Sequence, residues 1–506
     1  MQIRSDILAR NTLLNFVGQV LPLLVGLVAL PLIIQGLGKD RFGILSLAWV
    51  ILGYFSVFDI GLGRATTKYV AEAIGKGDEE QIHRLVWTSV TVQGILGVIG
   101  SVVFVVITPL IVERILNIPP DLIGEAKSTF YLLALSVSLI LISSSFSGVL
   151  EASQRFDLVN VVRVPSSLFS FLIPLLGLTL GYQLPGIVLL IVISRLLSLV
   201  ALMILAFRVF PALRKYSSHL PLFIRLFKFG GWISVSSIAG PILIYLDRFL
   251  IGAFLSMAMV TYYTAPFEVI TRLWIIPGSL VMTLFPAFST LGGLGRHDQT
   301  QAVLLRSTKY LLILITPIIF LVISFAQPIL ELWLGADFGQ NSSLVLQILA
   351  VGALVGVLAP VPGAILHGYG RPDIIAKLYL AYIPLNFILV IFFIKIWGLP
   401  GAALSFTVRT LLDSVLLFSI ALRITHQSAH SFLKEILATL GAVLLAGVLF
   451  SVTLWTIDSL SVRSAVVAGI IALFIYVVWT RIFSEEDRSK LESLIKGKGW
   501  QSIKQN

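Results

Sequence analysis

An arginine deep inside a membrane-length apolar run is the residue of this sequence that first demands a chemical explanation. The stretch from Tyr262 to Pro286 is apolar enough to cross a bilayer, yet it carries Glu268 and Arg272. A helix entering the membrane near Val260 would place Arg272 roughly 18 Å along its axis. That is near the middle of a hydrocarbon core about 30 Å thick. An arginine there costs about 2.5–3.5 kcal/mol on insertion scales and turns toward a protein interior or a water-filled cavity. The chemistry a guanidinium offers in such a place is recognition of an anion, by planar, charge-assisted hydrogen bonds. Three more arginines fall inside apolar runs, Arg195, Arg248 and Arg409, and so do four acids, Asp59, Asp247, Glu268 and Asp413. The arginines are candidate substrate-binding residues; the acids are candidates for charge balance or for binding a coupling proton or cation. Glu268 with Arg272, and Arg409 with Asp413, stand four apart, so each arginine could instead be neutralised along its own helix. Arg248 lies near the outer end of its run and could snorkel to the interface. Asp59 ends a run at the cytoplasmic face, where anchoring a loop competes with ion coupling. We identify no catalytic or metal-ligating set.

The elements that must position these charges are membrane helices. Of the 506 residues, 57% are hydrophobic and only 12% charged, against about 45–50% and 25% in soluble domains. The apolar runs are about 20 residues long, which argues for helices rather than the ten-residue alternation of a barrel. Fourteen spans are predicted, over 11–35, 42–62, 86–111, 129–150, 161–181, 186–207, 229–253, 259–286, 304–326, 343–366, 374–397, 401–423, 435–456 and 462–483. The first run outlasts a signal-peptide core and no small-residue cleavage site follows it, so no cleaved leader is expected. With no cysteine in the chain, disulfides and thiolate metal sites are excluded.

Charge sets the orientation. With both termini in the cytoplasm, and charges near a span end counted with the adjoining loop, 26 of the 36 lysines and arginines fall on that side, six outside (Lys39, Arg41, Arg114, Lys127, Lys395 and Arg463) and four deep within spans. This is the positive-inside pattern, and it explains the net charge of +11 without any nucleic acid partner. The segments 64–84 and 208–228, and the tail 484–506, mix charge with apolar residues and are predicted to lie as amphipathic connectors at the headgroups.

Short motifs recur at a nearly constant offset. Arg155-Phe156-Asp157 and Arg371-Pro372-Asp373 are 216 residues apart, Leu184-Pro185-Gly186 and Leu399-Pro400-Gly401 are 215 apart, and Thr67, Tyr69, Ala71 and Gly77 match Thr283, Phe285, Ala287 and Gly293 at 216. Arg195 and Arg409 follow at 214. The fold class read from this is an all-α polytopic membrane protein with two six-helix lobes, 1–215 and 216–426, in a parallel pseudo-twofold repeat. Two extra helices (427–483) and the cytoplasmic tail follow.

The runs Leu30 to Gly43 and Phe58 to Thr66, and the element Leu150-Glu151-Ala152-Ser153-Gln154-Arg155-Phe156-Asp157, resemble bacterial polysaccharide exporters and O-antigen flippases. These belong to the superfamily that also holds multidrug extruders and lipid II flippases. The resemblance implies a two-lobed transporter with a central cavity, moving a polyprenyl-pyrophosphate-linked oligosaccharide from the inner to the outer leaflet of the bacterial cytoplasmic membrane by alternating access. Its partners would be that lipid-linked substrate, membrane lipids, and the polymerase and chain-length proteins of polysaccharide assembly. Lipid II flippases carry a span 8 arginine in an Arg-Leu-x-x-x-Pro pattern, which Arg272, Leu273 and Pro277 match. Their span 1 arginines have no counterpart, since nothing from Asn11 to Leu37 is charged. In those flippases the extra helix pair lines a groove for the lipid tail, a role that would suit spans 13 and 14.

Other function classes fit less well. Phosphate-loop, His-Glu-x-x-His and Gly-x-Ser-x-Gly motifs are all missing, and the longest outer loop, about seventeen residues, is short for the soluble domain of a glycosyltransferase or O-antigen ligase. A multidrug or organic-cation antiporter would favour acids over arginines. No cofactor is expected. The membrane potential, a proton or sodium could drive transport, and an inside-negative potential favours outward movement of a doubly negative headgroup by roughly 4–5 kcal/mol per 100 mV.

Overall fold

A computed structural model of the chain describes Pro22 and residues 24–55, 62–153, 155–216, 239–240, 242–457, 459–483, 485 and 488. Among these residues there is no strand. The chain is a multi-pass, all-α membrane protein, and nine of its described helical segments are long and apolar enough to cross a bilayer. The expected spans 11–35, 42–62 and 229–253 run into residues outside the described set, as do Asp59, part of the 208–228 connector and nearly all of the tail.

By Cα proximity the chain divides into two compact units, Met1–Ala265 with Pro372–Ala402, and Pro266–Arg371 with Ala403–Asn506. The first unit contains α1 (Leu24–Leu37), α2 (Lys39–Phe55), α3 (Leu62–Lys76), α4 (Glu79–Leu110), α5 (Ile123–Ala152), α6 (Phe156–Thr179) and α7 (Leu184–Val209). A helix over 242–254, α8, precedes α9 (Met257–Arg272). The segment 64–84, expected as an amphipathic connector, consists of α3 and the first turns of α4. Gly77 (φ +70) ends α3, and Asp78 caps α4 by accepting from the Gln81 amide at 2.9 Å. α4 turns Val98, Val102 and Val106 outward, each more than half exposed. A row of that kind suits lipid rather than water.

Small residues and hydroxyls bring the helices together, as lipid supplies no hydrophobic drive between them. A Cβ on Gly97 of α4 would meet the Ser138 backbone of α5 at 2.6 Å. Deeper in, Thr66 donates to Ser89 at 2.8 Å, Ser89 and Ser145 lie 2.8 Å apart, and Ser145 reaches Gln93, all four fully buried. This satisfied polar network ties α3, α4 and α5 together in their shared interior.

The second unit holds α10 (Ile275–Gly293), α11 (His297–Ser324), α12 (Ala326–Leu334), α13 (Ala336–Gly356) and α14 (Pro360–Gly368). α15 (Pro372–Ile424) passes from the first unit into the second, and α16 (Ala429–Thr456) and α17 (Leu460–Val477) follow. α15 joins two expected spans across a kink at Gly398, whose φ of +60 with ψ of −132 only glycine adopts readily. α16 and α17 pack on α11, with Phe320 and Phe450 stacked at 4.7 Å. The expected span over 259–286 is interrupted at Leu273–Trp274, where a two-residue turn separates α9 from α10. Pro277 explains the place. It lacks an amide to bond Leu273 O, and its ring crowds that carbonyl four residues back.

Candidate functional site

Arg272 is the last residue of α9, so the break caused by Pro277 falls directly beside it. Its Nη2 donates to Glu268 Oε2 at 2.8 Å, and its side chain is 45% exposed against 28% for the acid. The anticipated pair along one helix therefore forms. A cation at a helix C-terminus is favoured by the dipole, and α10 begins three residues on.

Arg409, on the second half of α15, stands differently. Thr407, Thr410 and Ser414 donate to Ile348 O, Gly352 O and Val355 O of α13 at 2.8, 3.2 and 3.0 Å. These hydroxyls fix the face α15 turns to α13. Arg409 is 7% exposed, its Nε has no hydrogen-bond partner, and its guanidinium carbon lies 5.4 Å from the Phe406 ring centre. Among the described residues it has no carboxylate at ion-pair distance, so its anticipated pairing with Asp413 does not form. Phe406 in turn packs edge-on against Phe267 of α9 at 5.4 Å and tilted against Trp274 at 6.1 Å. This aromatic cluster connects the Arg409 helix to the break beside Arg272. Burying a guanidinium costs several kcal/mol without a partner, and the quadrupole of one ring offsets only about 0.5–2 kcal/mol of it.

In the first unit, α8 carries Asp247 and Arg248, both buried. Asp247 accepts from Tyr263 Oη at 3.0 Å and Asn386 Nδ2 at 3.3 Å, so its two oxygens have donors from α9 and α15. Arg248 lies 5.4 Å over the Tyr245 ring and is 2% exposed, packed inside the protein rather than turned out to its surface. Arg195, on α7, is partly buried and has no ion-pair partner among the described residues. The structure thus groups Arg272, Glu268, Arg409 and Asp413 in one unit and Asp247, Arg248 and Arg195 in the other.

Reading the sequence missed Tyr263 and Asn386 as partners of Asp247, and Phe406 as the ring against Arg409. An asparagine inside an apolar span was the available signal for Asn386. Among the described residues no three His, Cys, Asp or Glu side chains are placed to hold a metal ion.

Comparison with known proteins follows the same lines. The chain is 27% identical over 410 residues to a putative O-antigen transporter of Shigella flexneri, covering 81% of this chain and 96% of that one. Among solved structures, the lipid II flippase MurJ in an inward closed conformation superposes with a TM-score of 0.72 at 13% identity, over 94% of this chain and 99% of the other. An inward-facing multidrug resistance transporter of the MATE family, in the MOP superfamily, gives 0.68 at 15% identity, over 81% and 98%. At such identities these two likenesses show the shared transporter fold. A family model described as polysaccharide biosynthesis protein matches residues 8–291, more than half of the sequence. The chain belongs to that polysaccharide biosynthesis family.

Proposed function

We propose that this protein flips a polyprenyl-pyrophosphate-linked oligosaccharide, a repeat unit of O-antigen, capsule or exopolysaccharide, from the inner to the outer leaflet by alternating access. The observation that carries the reading is Arg409, a buried guanidinium with an aromatic neighbour and, among the described residues, no carboxylate at ion-pair distance. Such a group is stabilised by an anion that arrives with the cargo, and a pyrophosphate offers several acceptor oxygens to a planar donor fork. Arg272 supplies a second, half-exposed guanidinium, with Glu268 holding it while no cargo is present. Arg195 and Arg248 are the further substrate-binding candidates of this reading. Asp247, held by Tyr263 and Asn386, is the residue we assign to a coupling proton or cation, with Asp413 and Asp59 balancing charge. An organic-cation antiporter would present carboxylates to its cargo, and a buried unpaired arginine opposes that.

The same reading places the chain in the bacterial cytoplasmic membrane with both termini inside and lobes 1–215 and 216–426 repeating one six-helix plan. The flipped unit would then pass to a polymerase acting with chain-length proteins. An alkaline phosphatase fusion near Pro119 should be active and one after Asn506 inactive; activity at Asn506 would overturn the topology.

The function is tested by deleting the gene and scoring surface polysaccharide together with the sidedness of the lipid-linked oligosaccharide. Export should stop, the lipid-linked unit should accumulate on the inner side, and the wild-type copy should restore both. Unchanged export, with new sensitivity to organic cations, would favour the antiporter instead.

A further inference from the structure

We infer that the first unit contains a lateral gateway for a single-chain lipid diphosphate between α6 and α7, with a seat for its headgroup just inside. The inference rests on the flippase reading above. A pocket of about 160 Å³ lies among α5, α6 and α7, lined by Arg163 and Arg195, by five serines, and by no acidic side chain. Arg163 is held by Glu151 at 2.9 Å and is exposed, while Arg195 is partly buried and has no ion-pair partner among the described residues. Measured along their helices, Arg163 is roughly 10 Å from the cytoplasmic start of α6 and Arg195 roughly 21 Å from the cytoplasmic end of α7. The pocket therefore reaches from near the cytoplasmic interface to the middle of the span. Its polar lining consists of two guanidiniums and hydroxyls, so the ligand that completes it is an anion rich in acceptor oxygens.

On the other side of the α6–α7 contact runs an apolar groove of about 420 Å³, lined by Val161, Pro165, Phe169, Leu197 and Ile204, with Arg208 on its border. Val162, Ser166 and Ser198 line both spaces and form the wall between them. In that wall Ser166 Oγ and Ser198 Oγ lie 2.8 Å apart, and Ser198 donates to Ser194 O on its own helix, also at 2.8 Å. Parting α6 from α7 here breaks one neutral hydrogen bond, and a serine in a helix can turn back to the carbonyl four residues earlier. Pro165, next to the latch, removes one backbone bond of α6 and eases its bending.

A lipid-linked cargo must keep its tail in the bilayer while its head enters the protein. A slit with guanidiniums on the inside, an apolar groove on the outside and a weak polar latch between them has that form. The occupant to which we commit is a polyisoprenoid diphosphate. It carries one chain for one groove and two phosphates for a pocket with two guanidiniums and no acid, whereas a glycerophospholipid brings two chains and one phosphate.

The absence of native cysteine makes the latch testable. Ser166→Cys with Ser198→Cys introduces one pair, at positions whose hydroxyl oxygens lie 2.8 Å apart across the α6–α7 contact. The full-length protein, in phosphatidylcholine nanodiscs, is titrated with farnesyl diphosphate and separately with inorganic pyrophosphate. Oxidising the pair should weaken farnesyl diphosphate binding at least tenfold and reduction should restore it, while pyrophosphate, entering from water past the exposed Arg163, binds alike in both states. Arg195→Gln should weaken both probes at least tenfold, an arm that needs no cysteine. The inference is overturned if the parent protein fails to bind farnesyl diphosphate, if binding ignores the lock or Arg195→Gln, or if phosphatidylglycerol in the nanodisc displaces the probe. Polysaccharide export by the parent chain in the deletion strain judges the flippase reading separately, so either can fail alone.

Discussion

Within the second unit, the last turns of α9 and the second half of α15 each carry an arginine and an acid four residues apart, and the two arrangements end differently. On α9 the acid comes first: Glu268 reaches Arg272 at 2.8 Å and the pair stands half open to its surroundings. On α15 the order is reversed, the acid is the shorter aspartate, and Arg409 turns instead to the Phe406 ring. Acid before base is the more favourable orientation on a helix, and the hydroxyls of Thr407, Thr410 and Ser414 fix how α15 is rotated. The comparison teaches that equal spacing does not mean equal charge balance. One guanidinium has an internal counter-ion and the other has none among the described residues, so a visiting anion gains most at Arg409.

The largest effect should come from removing the unpaired cation. Arg409→Gln should lower export about 10- to 100-fold, the loss of one or two charge-assisted hydrogen bonds at about 1.5–3 kcal/mol each partly offset by residual contacts. Arg409→Met should do the same while leaving thermal stability unchanged or raised, since a buried uncompensated charge is gone. A Met variant that exports normally would end the role of Arg409 as a ligand. Next in size is Asp247→Asn, which keeps the shape but not the charge: export should fall about tenfold and lose its response to an imposed proton or sodium gradient. Retained gradient response would make Asp247 structural. A smaller effect, about three- to fivefold, is expected for Phe406→Leu, which removes a cation–π contact of about 1 kcal/mol. Initial rates of lipid-linked oligosaccharide translocation would measure it, and a loss as large as that of Arg409→Gln would mean that the ring does more than support the guanidinium.

Much of the fold was legible in the apolar runs. α4, α5, α6, α7, α11, α16 and α17 fall on expected spans because lipid demands about 20 apolar residues for each crossing. The kink at Gly398 was marked by the Gly398-Leu399-Pro400-Gly401 turn chemistry. The break at Leu273–Trp274 was present in Pro277 but hidden by composition, because apolar side chains continue across it. The site was legible in its charges and not in their partners. Glu268–Arg272 is local and could be read from spacing. Asp247 takes its donors from Tyr263, sixteen residues on, and from Asn386, 139 residues on, and no local pattern encodes such a meeting. The Arg409–Asp413 spacing pointed to a pair that packing against α13 and Phe406 overrides.

The central claim is that these arginines receive an anion rather than neutralise the protein's own acids, and Arg272 tests it most directly because its acid is known. Arg272→Gln should reduce export at least tenfold, and Arg272→Lys, which keeps the charge but loses the planar fork, should retain part of it. The decisive measurement is complementation of surface polysaccharide by the double variant Glu268→Gln with Arg272→Gln, with membrane levels matched by blot. The account predicts that the double variant stays as defective as Arg272→Gln, because the anion's ligand is still missing. Export restored to the parent level would show that Arg272 serves only to balance Glu268, and would contradict it.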